Sequence, residues 1–136
     1  TSLSASRDDH VHPTDTSRAA ASHTHTSSQV SVVDRVTQTS NYTLALTDAG
    51  DLVEMGSGSA ITLTVPADAT VNFAVGTKID VLRTGAGEVS IAGATSPNAV
   101  TVNSEGGKLR INAQWQAVSL IKRAANSWVL IGALKT

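Results

Sequence analysis

The amino-acid sequence predicts an all-β protein: an extended, trimeric stem over residues 1–40, followed by a small antiparallel β-sandwich or jelly-roll head over residues 41–136. Three observations lead there. Short runs with period-two apolar alternation recur along the second segment, each closed by a turn signal, and no stretch carries a helical apolar period. The composition also changes abruptly near residue 40. The first segment holds all four His and 16 Ser or Thr but no Gly and no aromatic residue, whereas all 10 Gly and every aromatic residue lie beyond it.

The head elements follow in order. Tyr42–Leu46 alternates, Leu52–Met55 is short, and Ala60–Val65 puts Ile61, Leu63 and Val65 on one face before Pro66 stops it. Further strands are expected over Lys78–Arg83, Glu88–Ala92, Ala99–Asn103, Leu109–Ala113, Ala117–Arg123 and Ser127–Gly132. The turns between them are marked by Gly56-Ser-Gly58, Gly85-Ala-Gly87, Ser96-Pro-Asn98 and Gly106-Gly107. Ala124-Ala-Asn126 joins the last two strands as a hairpin. Trp128-Val-Leu-Ile131 and Leu120-Ile121 are apolar on both faces, which a sheet with one wet face does not allow. Either this hairpin is covered on both sides within the chain, or one face meets another subunit. With four aromatic residues in 136, the supply of core is thin, and burial in an oligomer is the better account.

The stem is a different polypeptide. Ordering a residue costs roughly 1–2 kcal/mol, and scattered Val and Ala cannot offset that over 40 residues, so partner chains or a ligand must order it. Pro13 prevents a helix from running through His12, and Asp15, Thr16 or Ser17 can cap a short turn into Arg18-Ala-Ala-Ala21. Val30, Val32, Val33 and Val36 fit a strand or a triple-stranded stripe, and β-branching favours the extended form.

Its chemistry lies in His10-Val-His12 and His23-Thr-His25, two His-x-His elements 13 positions apart. In an extended strand residues i and i+2 point the same way, so each element presents two imidazoles to one side. Imidazole suits iron, zinc, nickel or copper. Two His from one chain make a weak site, but three chains around an axis supply six nitrogens, an octahedral set. A single such element reads as a polar spacer; the repetition is what an array needs.

Other classes are excluded. The net charge of −1 offers no footprint for nucleic acid or an anionic membrane, and no apolar run reaches the roughly 20 residues of a membrane span. Without Cys there are no disulfides or thiolate sites. Some metal hydrolases open a barrel with His-x-His, but that barrel needs about 250 residues and further ligands, and no His follows His25. No nucleophile elbow, phosphate loop or calcium loop is present, and the carboxylates of the head show no pairing that marks a glycosidase. An enzyme is therefore not expected. Trp115, between Gln114 and Gln116, has a face suited to stacking on a sugar ring, although such a Trp more often plugs a core or an interface.

Asp9-His-Val-His-Pro-Thr-Asp-Thr-Ser-Arg18, with Ala19-Ala-Ala21 and His23-Thr-His-Thr26, resembles segments that recur in the tail-fibre and related fibrous proteins of tailed bacteriophages. The stretches 76–80, 83–87 and 120–132 resemble the small β domains that finish phage fibres or head-decorating proteins. The resemblance implies a homotrimer in which His10, His12, His23 and His25 face the axis and hold a transition metal, iron first, with zinc or nickel as alternatives. The 13-position gap favours two separated sites over a continuous metal-threaded needle. What is implied is a non-enzymatic virion protein: the end of a tail fibre or appendage that contacts the host surface, or alternatively a head-fibre or capsid-decoration protein. Its partners would be other virion proteins and a host receptor, a saccharide or an outer-membrane protein. A chain opening at Thr1 is expected to be processed or a fragment of something longer.

Overall fold

The computed structural model describes residues 32–136, and Val33–Thr136 form one compact unit. It is all-β, as expected. The strands are β1 (Arg35–Gln38), β2 (Tyr42–Thr43), β3 (Leu52–Met55), β4 (Ile61–Val65), β5 (Lys78–Arg83), β6 (Val89–Gly93), β7 (Thr101–Ser104), β8 (Arg110–Ile111), β9 (Ala117–Ala124), β10 (Ser127–Gly132) and β11 (Leu134–Lys135). They form a six-stranded sheet in the order β1-β3-β5-β9-β10-β7 and a five-stranded sheet in the order β11-β8-β6-β4-β2.

The pairing corrects the antiparallel expectation. β1, β3 and β5 pair in parallel in one sheet, and β2, β4 and β6 pair in parallel in the other. The chain thus winds, placing one strand in each sheet per turn. Antiparallel pairing enters only with β8 on β6 and β11, and with β9 on β5 and β10; β7 then pairs in parallel with β10 at the far edge. Alternation could not separate the two arrangements, because each sheet has one dry and one wet face whichever way its strands run. The repeat was nevertheless in the sequence. Val53 lies beside Val81 and Ile61 beside Val89, both pairs 28 positions apart, with a Gly-x-Gly turn between the strands of each copy.

The core lies between the inner faces. Val53, Met55, Ile79, Val81, Val118, Leu120, Trp128 and Leu130 of the larger sheet meet Ile61, Leu63, Val65, Val89, Ile91 and Ile111 of the smaller one. Phe73 meets Trp128 edge to face at 5.4 Å between ring centres.

Two boundaries move. Arg35–Gln38, assigned by composition to the stem, is an edge strand of the head, with Val36 packed against the core. The strand expected over Tyr42–Leu46 stops after Thr43. There the Asp48 carboxylate accepts from the Ala45 N–H at 2.8 Å and from the Tyr42 hydroxyl at 2.6 Å, turning the chain into a 3-10 turn over Leu46–Asp48. The hairpin has one dry face only. Trp128 and Leu130 point into the core, whereas Val129 and Ile131 point outward, Ile131 with 49 % of its surface exposed. Among the described residues nothing covers that outer face.

Candidate recognition surface

His10, His12, His23 and His25 lie outside the described residues. Among the described residues, no three His, Asp or Glu side chains are grouped to hold a metal ion.

Two of the four turns marked in the sequence come together. Winding brings each β3–β4 or β5–β6 connection to the same end of the sheets, so the turn at Gly85–Gly87 stacks on the one at Gly56–Gly58. The Gly87 N–H donates to the Ser57 carbonyl at 2.7 Å. A Cβ on Gly85 would run into the Ser57 backbone and one on Gly87 into the Ser59 carbonyl, so only glycine permits this stacking. Ser96-Pro-Asn98 does not join them. It follows the C-terminal end of β6 and lies at the opposite end of the unit.

A third turn, between β8 and β9, completes the surface. Its backbone is tied down by four bonds: Trp115 N–H to the Arg83 carbonyl (2.6 Å), Arg83 N–H to the Gln116 carbonyl (3.0 Å), Gln116 N–H to the Ala113 carbonyl (3.2 Å), and the Gln114 side-chain amide to the Thr84 carbonyl (2.9 Å). The Arg83 guanidinium reaches three carbonyls, those of Ala86 (2.7 Å), Ile111 (3.2 Å) and Gly85 (3.4 Å), and so pins the Gly85–Gly87 turn to β8. That arginine is a structural clamp with its charge turned to the backbone.

At the head of this turn Trp115 has φ of 69° and 68 % of its surface exposed. Both features oppose folding. The left-handed backbone costs a residue other than glycine roughly 1–2 kcal/mol, and the indole leaves a large apolar area in water. The sequence favoured a Trp115 that plugs a core or an interface; the core is filled by Trp128 instead. The connections 56–60 and 112–116 contain no charged residue and 84–88 contains one, Glu88, which is paired with Lys135 and Arg110; the rest is Gly, Ala, Ser, Thr, Asn, Gln and Trp. The arrangement offers one aromatic face amid hydroxyls and amides on a braced base, which is binding chemistry. It holds no paired acid and base, and no nucleophile with an activating partner.

The other end of the unit has an open cavity of about 560 Å³ lined by Asp68, Asn72, Phe73 and Lys122 among others. The sequence drew no attention to Lys122, which continues the inward row Val118, Leu120 and is only 2 % exposed. Its ammonium meets the Phe73 carbonyl at 2.6 Å, Asp68 at 2.7 Å and Asn72 at 3.3 Å. Three N–H groups and three acceptors leave no donor for a ligand. Asp68 also accepts from the Asn126 N–H, and the Asp68 N–H donates to Asn126 Oδ1, so the group locks the β4–β5 loop onto the β9–β10 hairpin.

Three groups have shifted pKa values. Tyr42 is pushed up to about 12 by burial, by its bond to Asp48 and by the charges of Asp48 and Asp51. Asp51 is raised by burial and by the neighbouring charges of Asp34 and Asp48. Glu88 is lowered, first by its hydrogen bond from Lys135 and then by Arg110 and Arg83. None of these groups sits at the head of the Trp115 turn.

Compared with known proteins, the chain matches no family model, no curated protein and no solved structure.

Proposed function

We propose that this chain is a non-enzymatic display module, a rigid β head that presents a recognition surface. More particularly, it is the end of a trimeric tail fibre or appendage of a tailed bacteriophage, located in the virion and contacting the host surface through the Trp115 end. The observation that carries the reading is the exposed indole on a left-handed backbone, braced by Arg83, Thr84 and Gln116. Strained backbone conformations cluster at functional sites, and this one carries its large side chain into solvent. The head's first strand, β1, has its N-terminus at the end away from Trp115, because Asp34 and Leu52 pair there while Gln38 and Gly56 meet at the Trp115 end. A chain entering at one end and presenting at the other is what a fibre tip requires.

Trimer formation is supported by the uncovered outer face of the larger sheet, where Leu52, Leu82, Ile121, Val129 and Ile131 meet water in a single chain. Second copies of this chain are the proposed cover. The stem adds an all-imidazole donor set, in which His10 and His12 hold one ion and His23 and His25 another, six nitrogens to each across three chains. When bound, the metal supplies a crosslink between chains.

Purified full-length chain is expected to scatter light as a trimer at micromolar concentration and to compete with phage for adsorption to host cells. A folded, stable monomer that neither competes nor labels cells overturns the proposal. Labelling of capsids without labelling of cells would assign the chain to the head of the particle as a decoration protein.

A further inference from the structure

We infer that the Trp115 end is a subsite for a neutral saccharide, with the indole face as its platform. The inference rests on the reading of this end as the recognition surface, and names the class of ligand that it takes.

The argument is by chemistry. A nucleic acid or a phosphorylated ligand would need free cations at the surface, whereas the one arginine between the three turns directs three of its five N–H donors at the Ala86, Ile111 and Gly85 carbonyls, and Arg110 and Lys135 pair with Glu88. A cationic ligand would need free carboxylates, and the one carboxylate of these turns, Glu88, is already paired with Lys135 and Arg110. A protein partner buries an apolar centre of several large side chains; here there is one indole, and the exposed apolar side chains of the neighbouring turns are the small ones of Ala60, Ala86 and Ala117. What remains is a flat aromatic face with the exposed amides of Asn112 and Gln114 in its own turn, the Gln114 amide holding the Thr84 carbonyl while its oxygen keeps its lone pairs, and the exposed Ser59 on the turn beyond. A pyranose has the matching surface. One face carries C–H groups that pack on an indole, and its rim carries hydroxyls that both donate and accept. The glycine turns keep the neighbouring ground low, and the braced backbone means that binding orders little that was not already ordered.

Such a site is shallow, so each copy is expected to bind with millimolar affinity, and three copies would reach useful strength through avidity. The probes are the methyl glycosides of glucose, galactose and N-acetylglucosamine and their oligosaccharides, titrated into the full chain. The readouts are indole fluorescence and the two tryptophan indole N–H signals in NMR. At least one sugar is expected to move the Trp115 signal in a saturable way and to leave that of Trp128 still. Trp115→Ala should weaken the binding by at least tenfold at an unchanged melting temperature, and Trp115→Tyr should keep part of it.

If the Trp115 signal stays still with every sugar to 50 mM while the chain competes for host adsorption and Trp115→Ala abolishes that competition, the surface is a protein-binding one and the saccharide inference falls alone. If sugars bind but competition is absent, the site stands and the reading as a host-contacting tip falls. Sugar binding unchanged in Trp115→Ala would overturn the assignment of the site.

Discussion

Trp115 sits where a glycine belongs. Replacing it with Gly removes the left-handed penalty and the exposed indole, and more than offsets the extra chain entropy of the unfolded state. Trp115→Gly is therefore expected to raise stability by up to about 1 kcal/mol in denaturant unfolding while abolishing recognition. A loss of stability would mean that the indole packs on the head. Lys122 presents the opposite case, a charge held inside by three acceptors. Lys122→Ala leaves the Phe73 carbonyl and the Asp68 carboxylate without their cation and opens a hole, and should cost about 3 kcal/mol, the lower part of the range for breaking a buried pair because Asp68 is partly exposed. Tyr42 carries a pH dependence. Its folded pKa stands above its unfolded value of 10, so the stabilisation is complete below pH 10 and is lost as pH rises toward 12. An alkaline melting series should show that fall, and Tyr42→Phe should flatten it.

The turns obey a stricter rule than the strands they join. Strand residues need only alternate, whereas Gly85 and Gly87 must lack a side chain because the preceding coil's backbone occupies that space. Gly87→Ala is expected to destabilise by about 2 kcal/mol through forced displacement of the Ser57–Ser59 turn, and to perturb the Trp115 signal because Arg83 ties both turns together. Unchanged thermal melting in this variant would mean that the two turns are not held against each other. The winding also explains why the antiparallel expectation failed. Period two reports which face of a strand is dry, and it is blind to strand direction. Direction was written in the repeat of apolar pairs at 28 positions and glycine turns at 29, a longer-range signal than alternation.

One apolar face is used within the chain, and the outer face of the larger sheet keeps a smaller apolar strip beside Lys78, Asp80 and Ser119. The outward residues Ile121 and Val129 lie directly opposite each other in the hairpin register, with Ile131 one step on. If copies of the chain cover this face, Val129→Asp with Ile131→Asp should convert the trimer to monomers in sedimentation while leaving the near-ultraviolet signal of buried Trp128 intact. Retention of the trimer would move the interface elsewhere. The stem carries its own test. Neutral imidazole is the ligand form, with an ordinary pKa of about 6.5, so any bound metal should be released as pH falls toward 5. His23→Ala with His25→Ala should remove one ion per trimer in elemental analysis and leave the head folded.

What the sequence determined by itself is local. Alternation with closing turns placed Leu52–Met55, Lys78–Arg83 and Ser127–Gly132 as they stand. Each of those signals arises from contacts between a residue and its near neighbours, or between a face and water. Only the tertiary structure decided that Arg35–Gln38 belongs to the sheet, that Lys122 is an interior clamp, and that Trp115 is exposed while Trp128 is buried. A lysine and a tryptophan read the same in a list of residues wherever they fall. Their roles depend on what distant segments bring to them, Phe73 and Asp68 to one and Arg83 and Thr84 to the other, and those encounters follow from winding the chain through two sheets.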